Sequence, residues 1–154
     1  MAFVGKSAFE GCNVLGSISL PDAIKTIDYR AFYECYGLHT VTIGKGIETI
    51  ANEAFRSSGI SSITIPIDAA LTTIGERAFA GCNNLKEFIM PDAVTTMGKS
   101  AFSRCQTLAN VTLGKNLKKL ENESFVGCSA LLKVSIPEDA ILSSIDGGVF
   151  RDCI

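Results

Sequence analysis

Tryptophan is absent from the 154 residues, proline occurs four times and histidine once, at His39. That histidine lies beside a predicted strand, between Tyr36 and Thr40, where no nucleophile and buried carboxylate converge on it, so it is expected to be a plain exposed side chain. Charge of one sign is missing too. With 14 basic and 16 acidic residues the net charge is -2, which provides no long-range field matched to a nucleic-acid backbone. The one basic cluster, Lys115, Lys118 and Lys119, is followed by Glu121 and Glu123 and reads as a solvated turn. No apolar run approaches the roughly 20 residues that a membrane-crossing helix needs. The start, MAFVGKSAFEGC, has no basic segment, long apolar run and small-residue cleavage site, so no signal peptide is expected within this chain. No two cysteines stand about two to four residues apart as zinc ligands do, and no glycine-rich loop leads from a strand into a helix. The expectation from these absences is no catalytic residue, no metal, no cofactor, no nucleic-acid partner and no membrane insertion.

What fills the chain is one repeat. Phe9, Phe32, Phe55, Phe79, Phe102, Phe125 and Phe150 recur at steps of 23, 23, 24, 23, 23 and 25 residues. A fixed period of this length means a small unit stacked on copies of itself, each copy completing its neighbour's core. Residues 1–154 are expected to form a single domain, with units at 4–26, 27–49, 50–73, 74–96, 97–119 and 120–144 and a partial unit at 145–154. At 47% hydrophobic content such a stack buries a continuous internal column.

Within a unit, an apolar series such as Leu15, Ile18 and Leu20 ends in a period-two pair suited to a short strand with one face inward. The equivalents are Leu38, Val41 and Ile43; Ile60, Ile63 and Ile65; Leu85, Phe88 and Met90; Leu108, Val111 and Leu113; Leu131, Val134 and Ile136. Six such strands in parallel, about 4.8 Å apart, predict one sheet roughly 25 to 30 Å wide. Pro21, Pro66, Pro91 and Pro137 follow the last inward residue, with Gly44 and Gly114 in the other units, so that slot must be a turn. After it, Ala-Phe-x-x-Cys places Phe and Cys three residues apart, which predicts a single helical or 3-10 turn on the convex back. The pattern Pro21, Gly44, Pro66 recurs as Pro91, Gly114, Pro137, and the enlarged turns IDAALTT and EDAILSS close the third and sixth units. Residues 4–73 and 74–144 therefore read as two copies of a triple unit, with the extra turn residues bulging along one rim.

The frame Ile-Gly-x-x-Ala-Phe-x-x-Cys-x-x-Leu-x-x-Ile-x-Leu-Pro, seen from Ile74 to Pro91, resembles the BspA-like, or Treponema pallidum-type, leucine-rich repeat, and it covers residues 4–154. The resemblance implies an α/β repeat: a right-handed leucine-rich-repeat solenoid with a parallel β-sheet on one face and short helical or 3-10 turns on the other. It also implies a protein of the cell surface or a secreted one, and a role in adhesion to host matrix proteins or other cells. Without a signal peptide in this chain, the cytoplasm stays open as a location. Two departures stand out. The asparagine that forms a hydrogen-bonded ladder in better-known leucine-rich repeats occurs only at Asn116, with Ala23, Gly46 and Ala93 as counterparts, so the backbone there must be satisfied otherwise. The third unit has Ser58 in place of cysteine and is one residue short before Ile60, where a local kink is expected.

Cys12, Cys35, Cys82, Cys105, Cys128 and Cys153 share one slot beside the phenylalanines, which predicts a ladder of inert free thiols, with disulfides between rungs as the alternative. The outward rows of the sheet read Ser17, Thr40, Ser62, Glu87, Asn110, Lys133 and Ser19, Thr42, Thr64, Ile89, Thr112, Ser135. Such a flat hydroxyl-rich face suits a broad protein or glycan contact, although threonine also simply fits an exposed strand. An ice-binding array is a third reading, but Glu87, Ile89 and Lys133 interrupt it. Ile89, the only aliphatic residue of its row, is a candidate anchor. Tyr29, Tyr33 and Tyr36 all fall in the second unit, as a contact cluster or as partial burial between turns. The first expectation is thus a non-enzymatic binding or adhesion module that meets its partner through Thr40, Thr42, Thr64, Glu87, Ile89, Asn110 and Thr112. The alternative is a structural spacer or assembly segment of a longer array, associating end to end through uncapped termini.

Overall fold

Extended residues come in bursts of two to four, too short to pair with anything except the equivalent burst one unit away. The computed structural model describes residues 2–154. Its thirteen strands are β1 (Ala2–Val4), β2 (Ser17–Leu20), β3 (Ile24–Ile27), β4 (Thr40–Ile43), β5 (Thr49–Ile50), β6 (Ser62–Thr64), β7 (Thr73–Ile74), β8 (Glu87–Ile89), β9 (Thr96–Met97), β10 (Asn110–Thr112), β11 (Lys119–Leu120), β12 (Lys133–Ser135) and β13 (Ser144–Ile145). Every pairing is parallel. The even-numbered strands carry the predicted Ile-x-Leu series, but they form two sheets, β2-β4-β6 and β8-β10-β12, instead of one. The odd-numbered strands make a second side, β1-β3-β5-β7-β9 and β11-β13, which sequence patterning did not disclose.

The expected α/β class is overturned. The chain is a purely parallel β solenoid, with no helical or 3-10 turn among the described residues. The reason lies in the amides of the back. Alternate amides reach the next rung, as Ser7, Phe9 and Gly11 do to the carbonyls of Tyr29, Ala31 and Tyr33 at 2.9, 2.8 and 2.9 Å. Those between them, Ala8, Glu10 and Cys12, bond back three residues at 3.1, 3.2 and 3.0 Å. A 3-10 helix needs consecutive bonds of the second kind, and here every other amide has left for the neighbour.

Two left-handed residues, four apart, frame each of these turns: Ser7 and Gly11, Arg30 and Glu34, Glu53 and Ser57, Arg77 and Gly81, Ser100 and Arg104, Glu123 and Gly127, Gly148 and Asp152, with φ from 52° to 71°. An L-residue in this region costs about 1–2 kcal/mol. Gly81→Ala is accordingly expected to lower the unfolding free energy by about 1 kcal/mol in urea titrations, whereas Arg104→Gly, at the same slot, should not lower it.

Inside, the seven phenylalanines stack face to face along the axis with centroids 5.0, 5.0, 5.3, 5.1, 5.5 and 5.7 Å apart and interplanar angles of 12° or less. Phe32, Phe55, Phe79, Phe102 and Phe125 have no exposed surface, while Phe9 and Phe150 at the ends do. Alanine precedes the ring in most units because the slot is sealed: Ala31, Ala54, Ala78 and Ala101 are fully buried. Ser124 replaces it in the sixth unit and donates its hydroxyl hydrogen to the Glu121 carbonyl.

The missing asparagine ladder has a substitute. Asp22 accepts from the Lys45 amide at 2.8 Å and Asp92 from that of Lys115 at 3.2 Å, while Asn52 accepts from Glu76 at 2.9 Å and Asn13 from Tyr36 at 3.2 Å. These short side chains sit one rung before their donors and satisfy amides that no strand partner reaches. The two enlarged turns fold alike: Ala69 and Ala140 bond Pro66 and Pro137, and Ala70 and Ile141 bond Lys45 and Lys115, at 2.9 to 3.0 Å.

Candidate functional site

Cys35, Cys82, Cys105, Cys128 and Cys153 each donate the thiol hydrogen to the phenylalanine carbonyl of the preceding unit, at 2.8 to 3.1 Å. All six cysteines are free. Ser58 fills the gap in the ladder, its hydroxyl 3.5 Å from the Cys82 sulfur. Burial pushes the Cys82 thiol from 9.0 up to about 12 and holds Cys105 well above the ordinary range, because neither thiolate would be hydrated. Below pH about 9 both folded and unfolded chains keep the Cys82 proton; between about 9 and about 12 only the folded chain does, so stability falls as pH rises through that window. Titration with an aromatic disulfide at pH 8 is expected to modify Cys12 and Cys153, the two partly exposed thiols, quickly, and the four buried ones only in denaturant.

His39 is exposed, its Nδ1 3.3 Å from the Gly59 carbonyl oxygen. Among the described residues no group of His, Cys, Asp and Glu is arranged to hold a metal ion, and no helix is long and apolar enough to cross a membrane.

On the back, Tyr29 and Tyr33 are half-buried and share one cation: the Arg30 guanidinium lies 5.0 Å from one ring centroid and 4.6 Å from the other. Arg30 also binds Glu53 at 2.6 Å, and Arg56 binds the same carboxylate at 3.0 Å. Burial opposes ionisation of Glu53, but the two guanidiniums win and hold its carboxyl below its usual range. Tyr36 is exposed. Beyond this cluster the back opens into a trough of about 590 Å³ whose lining includes Arg56, Arg77, Arg104 and Arg151 together with Glu123 and Asp152. Sequence reading missed it, because its members come from three slots of the repeat, none of which keeps one residue type from unit to unit.

The outward face assembles as the pattern predicts within each half. Thr40 pairs with Ser17 and Ser62, and Thr42 with Ser19 and Thr64. In the second half Asn110 pairs with Glu87 and Lys133, and Thr112 with Ile89 and Ser135. Thr40, Thr42, Thr64, Glu87, Ile89 and Asn110 are exposed, Ile89 by 54%, while Thr112 is half-buried. The face does not bring all seven together: β6 and β8 are unpaired, so Thr40, Thr42 and Thr64 stand on one side of a break and the other four on the far side. A groove of about 660 Å³ crosses the starts of the strands from the third unit to the sixth, including the near end of the break, lined by Ser61, Ser62, Ile63, Lys86, Glu87 and Asn110 and, further on, by Thr107 and Ala130. Ser61 and Lys86 were not among the expected contact residues. The available signal was the spacing, 25 residues from Ser62 to Glu87 against 22 or 23 between the other neighbouring strands.

A family model described as the BspA type leucine rich repeat region matches residues 2–72 and 48–154, in six copies. The crystal structure of the T. pallidum leucine-rich repeat protein is 31% identical over 99% of this chain and 70% of its own, with a TM-score of 0.90. A leucine-rich repeat protein from Bacteroides ovatus is 28% identical over 95% of this chain and 41% of its own, with a TM-score of 0.77. The pneumococcal vaccine antigen PcpA is 27% identical over 84% of this chain and 29% of its own, with a TM-score of 0.64. Among curated proteins none matches significantly. With the repeat matched along its whole described length and the solenoid superposing on a 31% identical relative, this chain belongs to the BspA-type leucine-rich repeat family.

Proposed function

We propose that the solenoid is a rigid adhesion or binding module of the cell surface or the secreted space, and that its outward sheet face docks a protein or glycan. The observation that carries this is the pair of in-register rows Glu87, Asn110, Lys133 and Ile89, Thr112, Ser135, in which Ile89 is an exposed aliphatic residue held on a strand among polar and charged neighbours. Rows fixed by a backbone ladder lose little side-chain freedom on contact, which favours a broad, weakly charged partner. A vaccine antigen among the relatives supports the surface location. Thr40, Thr42, Thr64, Glu87, Ile89, Asn110 and Thr112 are the proposed contacts.

The purified chain, tested on an array of matrix proteins, glycans and cell surfaces, is expected to bind saturably. Ile89→Lys should weaken that binding by about tenfold or more, the effect of losing a central apolar anchor. Retained affinity in that variant would put the contact elsewhere.

One observation favours assembly as a second reading. Each terminal strand of the face, β2 and β12, has an unpaired edge, and the inward Ile18 and Val134 beside those edges are half-buried only. Sedimentation velocity separates the two: a spacer forms end-to-end oligomers as concentration rises, and a docking module stays monomeric.

A further inference from the structure

We propose that the break between β6 and β8 is a strand-acceptor site, into which an extended peptide segment of a partner protein inserts and pairs its backbone with both facing edges. The site uses backbone groups and not the side-chain rows, and so goes beyond the face reading above.

At every other step along the face, two amides entering a strand share one carbonyl of the rung before. His39 and Thr40 donate to Gly16 at 2.9 and 3.3 Å, Ser61 and Ser62 to His39 at 2.9 and 3.1 Å, Ala109 and Asn110 to Lys86 at 2.8 and 3.3 Å, and Leu132 and Lys133 to Ala109 at 2.9 and 3.1 Å. The equivalent bonds from Lys86 and Glu87 to the Ser61 carbonyl are missing, and β6 and β8 belong to different sheets. The same two rungs stay joined elsewhere: Thr49 pairs with Thr73, the Ser57 amide bonds the Ala80 carbonyl at 2.8 Å, and Phe55 stacks on Phe79 at 5.3 Å. The solenoid is closed at its back and open at its face at this one joint.

The opening partly uncovers the inward residues of the β6 wall, while Phe88 and Met90 on the β8 wall stay 1 to 2% exposed. Ile63 and Ile65 are inward residues of an interior rung, yet both are only half-buried, whereas Val41, Ile43, Val111 and Leu113 are 0 to 2% exposed. Two features of the sequence mark this joint. The connection from Ser62 to Glu87 is longer than the others, and Phe88 replaces the aliphatic residue at mid-strand, its ring set at 54° and 58° to Phe79 and Phe102.

The occupant follows from what the walls lack. Each wall is a strand edge that presents both the amide and the carbonyl of every second residue, about 6.6 Å apart. An extended polypeptide matches both at once, with side chains at alternate positions turned toward Ile63 and Ile65. A glycan carries no such regular row of amide donors.

The probe is a synthetic peptide of residues 38–44, Leu-His-Thr-Val-Thr-Ile-Gly, which already pairs in this fold on both edges as β4. Amide hydrogen exchange of the intact chain is followed by NMR with and without it. In the free protein the Lys86 and Glu87 amides should exchange at least about a hundredfold faster than those of Ala109 and Asn110. The peptide should slow them at least about tenfold, an N-methylated copy should not, and lysine at Thr42, Thr64 and Thr112 should leave the effect in place. Three results would overturn the site: protected Lys86 and Glu87 amides in the free chain, no slowing at about 1 mM peptide, or equal slowing by the N-methylated copy. Array binding that disappears in the lysine variant without any peptide effect would remove the strand-acceptor site and leave the face reading standing.

Discussion

Phe79→Ala is expected to lower the unfolding free energy by about 3–5 kcal/mol. The ring is fully buried, stacked between Phe55 at 5.3 Å and Phe102 at 5.1 Å and touched obliquely by Phe88. Its removal leaves a cavity that the rungs cannot close, because ladder bonds of 2.8 Å on both sides, Phe55 to Ala78 and Phe79 to Ala101, already fix their separation. For a chain of this size each kcal/mol moves the melting temperature by about 2–4 °C, so a drop of roughly 6–20 °C is expected by circular dichroism. Phe9→Ala should cost far less, since Phe9 has a single stacked neighbour and is only half-buried. Equal losses at the two positions would contradict a stack whose interior rungs are held from both sides.

Gly46→Ala is expected to be nearly as damaging, by a different route. A methyl group there would collide with the carbonyl of Asp22 in the preceding rung, which is backbone and cannot rotate away. The rungs would have to separate locally, an overpacking cost of about 3 kcal/mol. Gly16→Ala is the control, since a methyl there meets nothing within 4 Å. Urea midpoints of the two variants should differ clearly; coincident midpoints would mean that the turns of neighbouring rungs are not in close contact.

Much of this was legible in the residues. The phenylalanine beat corresponds to a continuous stack, and the outward rows appear in the predicted register within each half of the face. The helical back was a misreading with a physical cause: Phe and Cys three apart lie together on a helical turn, and equally on two consecutive turns framed by left-handed residues. The glycines directly before Cys12, Cys82 and Cys128 were the clue, because a glycine recurring at one slot beside a closed turn points to positive φ. The second side was invisible because strands of two residues, such as Thr49–Ile50, are too short to show alternation. The break in the face rests on ladder bonds that are missing between β6 and β8, and a spacing count alone does not disclose those.

The most direct test of the account is the binding of wild-type chain, beside the variant carrying Thr42→Lys, Thr64→Lys and Thr112→Lys, to the array component that the wild type recognises. These three positions span both halves of the face and lie outside the phenylalanine column. The account predicts saturable wild-type binding, a loss of at least about tenfold in the variant, and melting temperatures within a few degrees of one another. Undiminished binding by the variant, or no binding by either protein to any component, would contradict it.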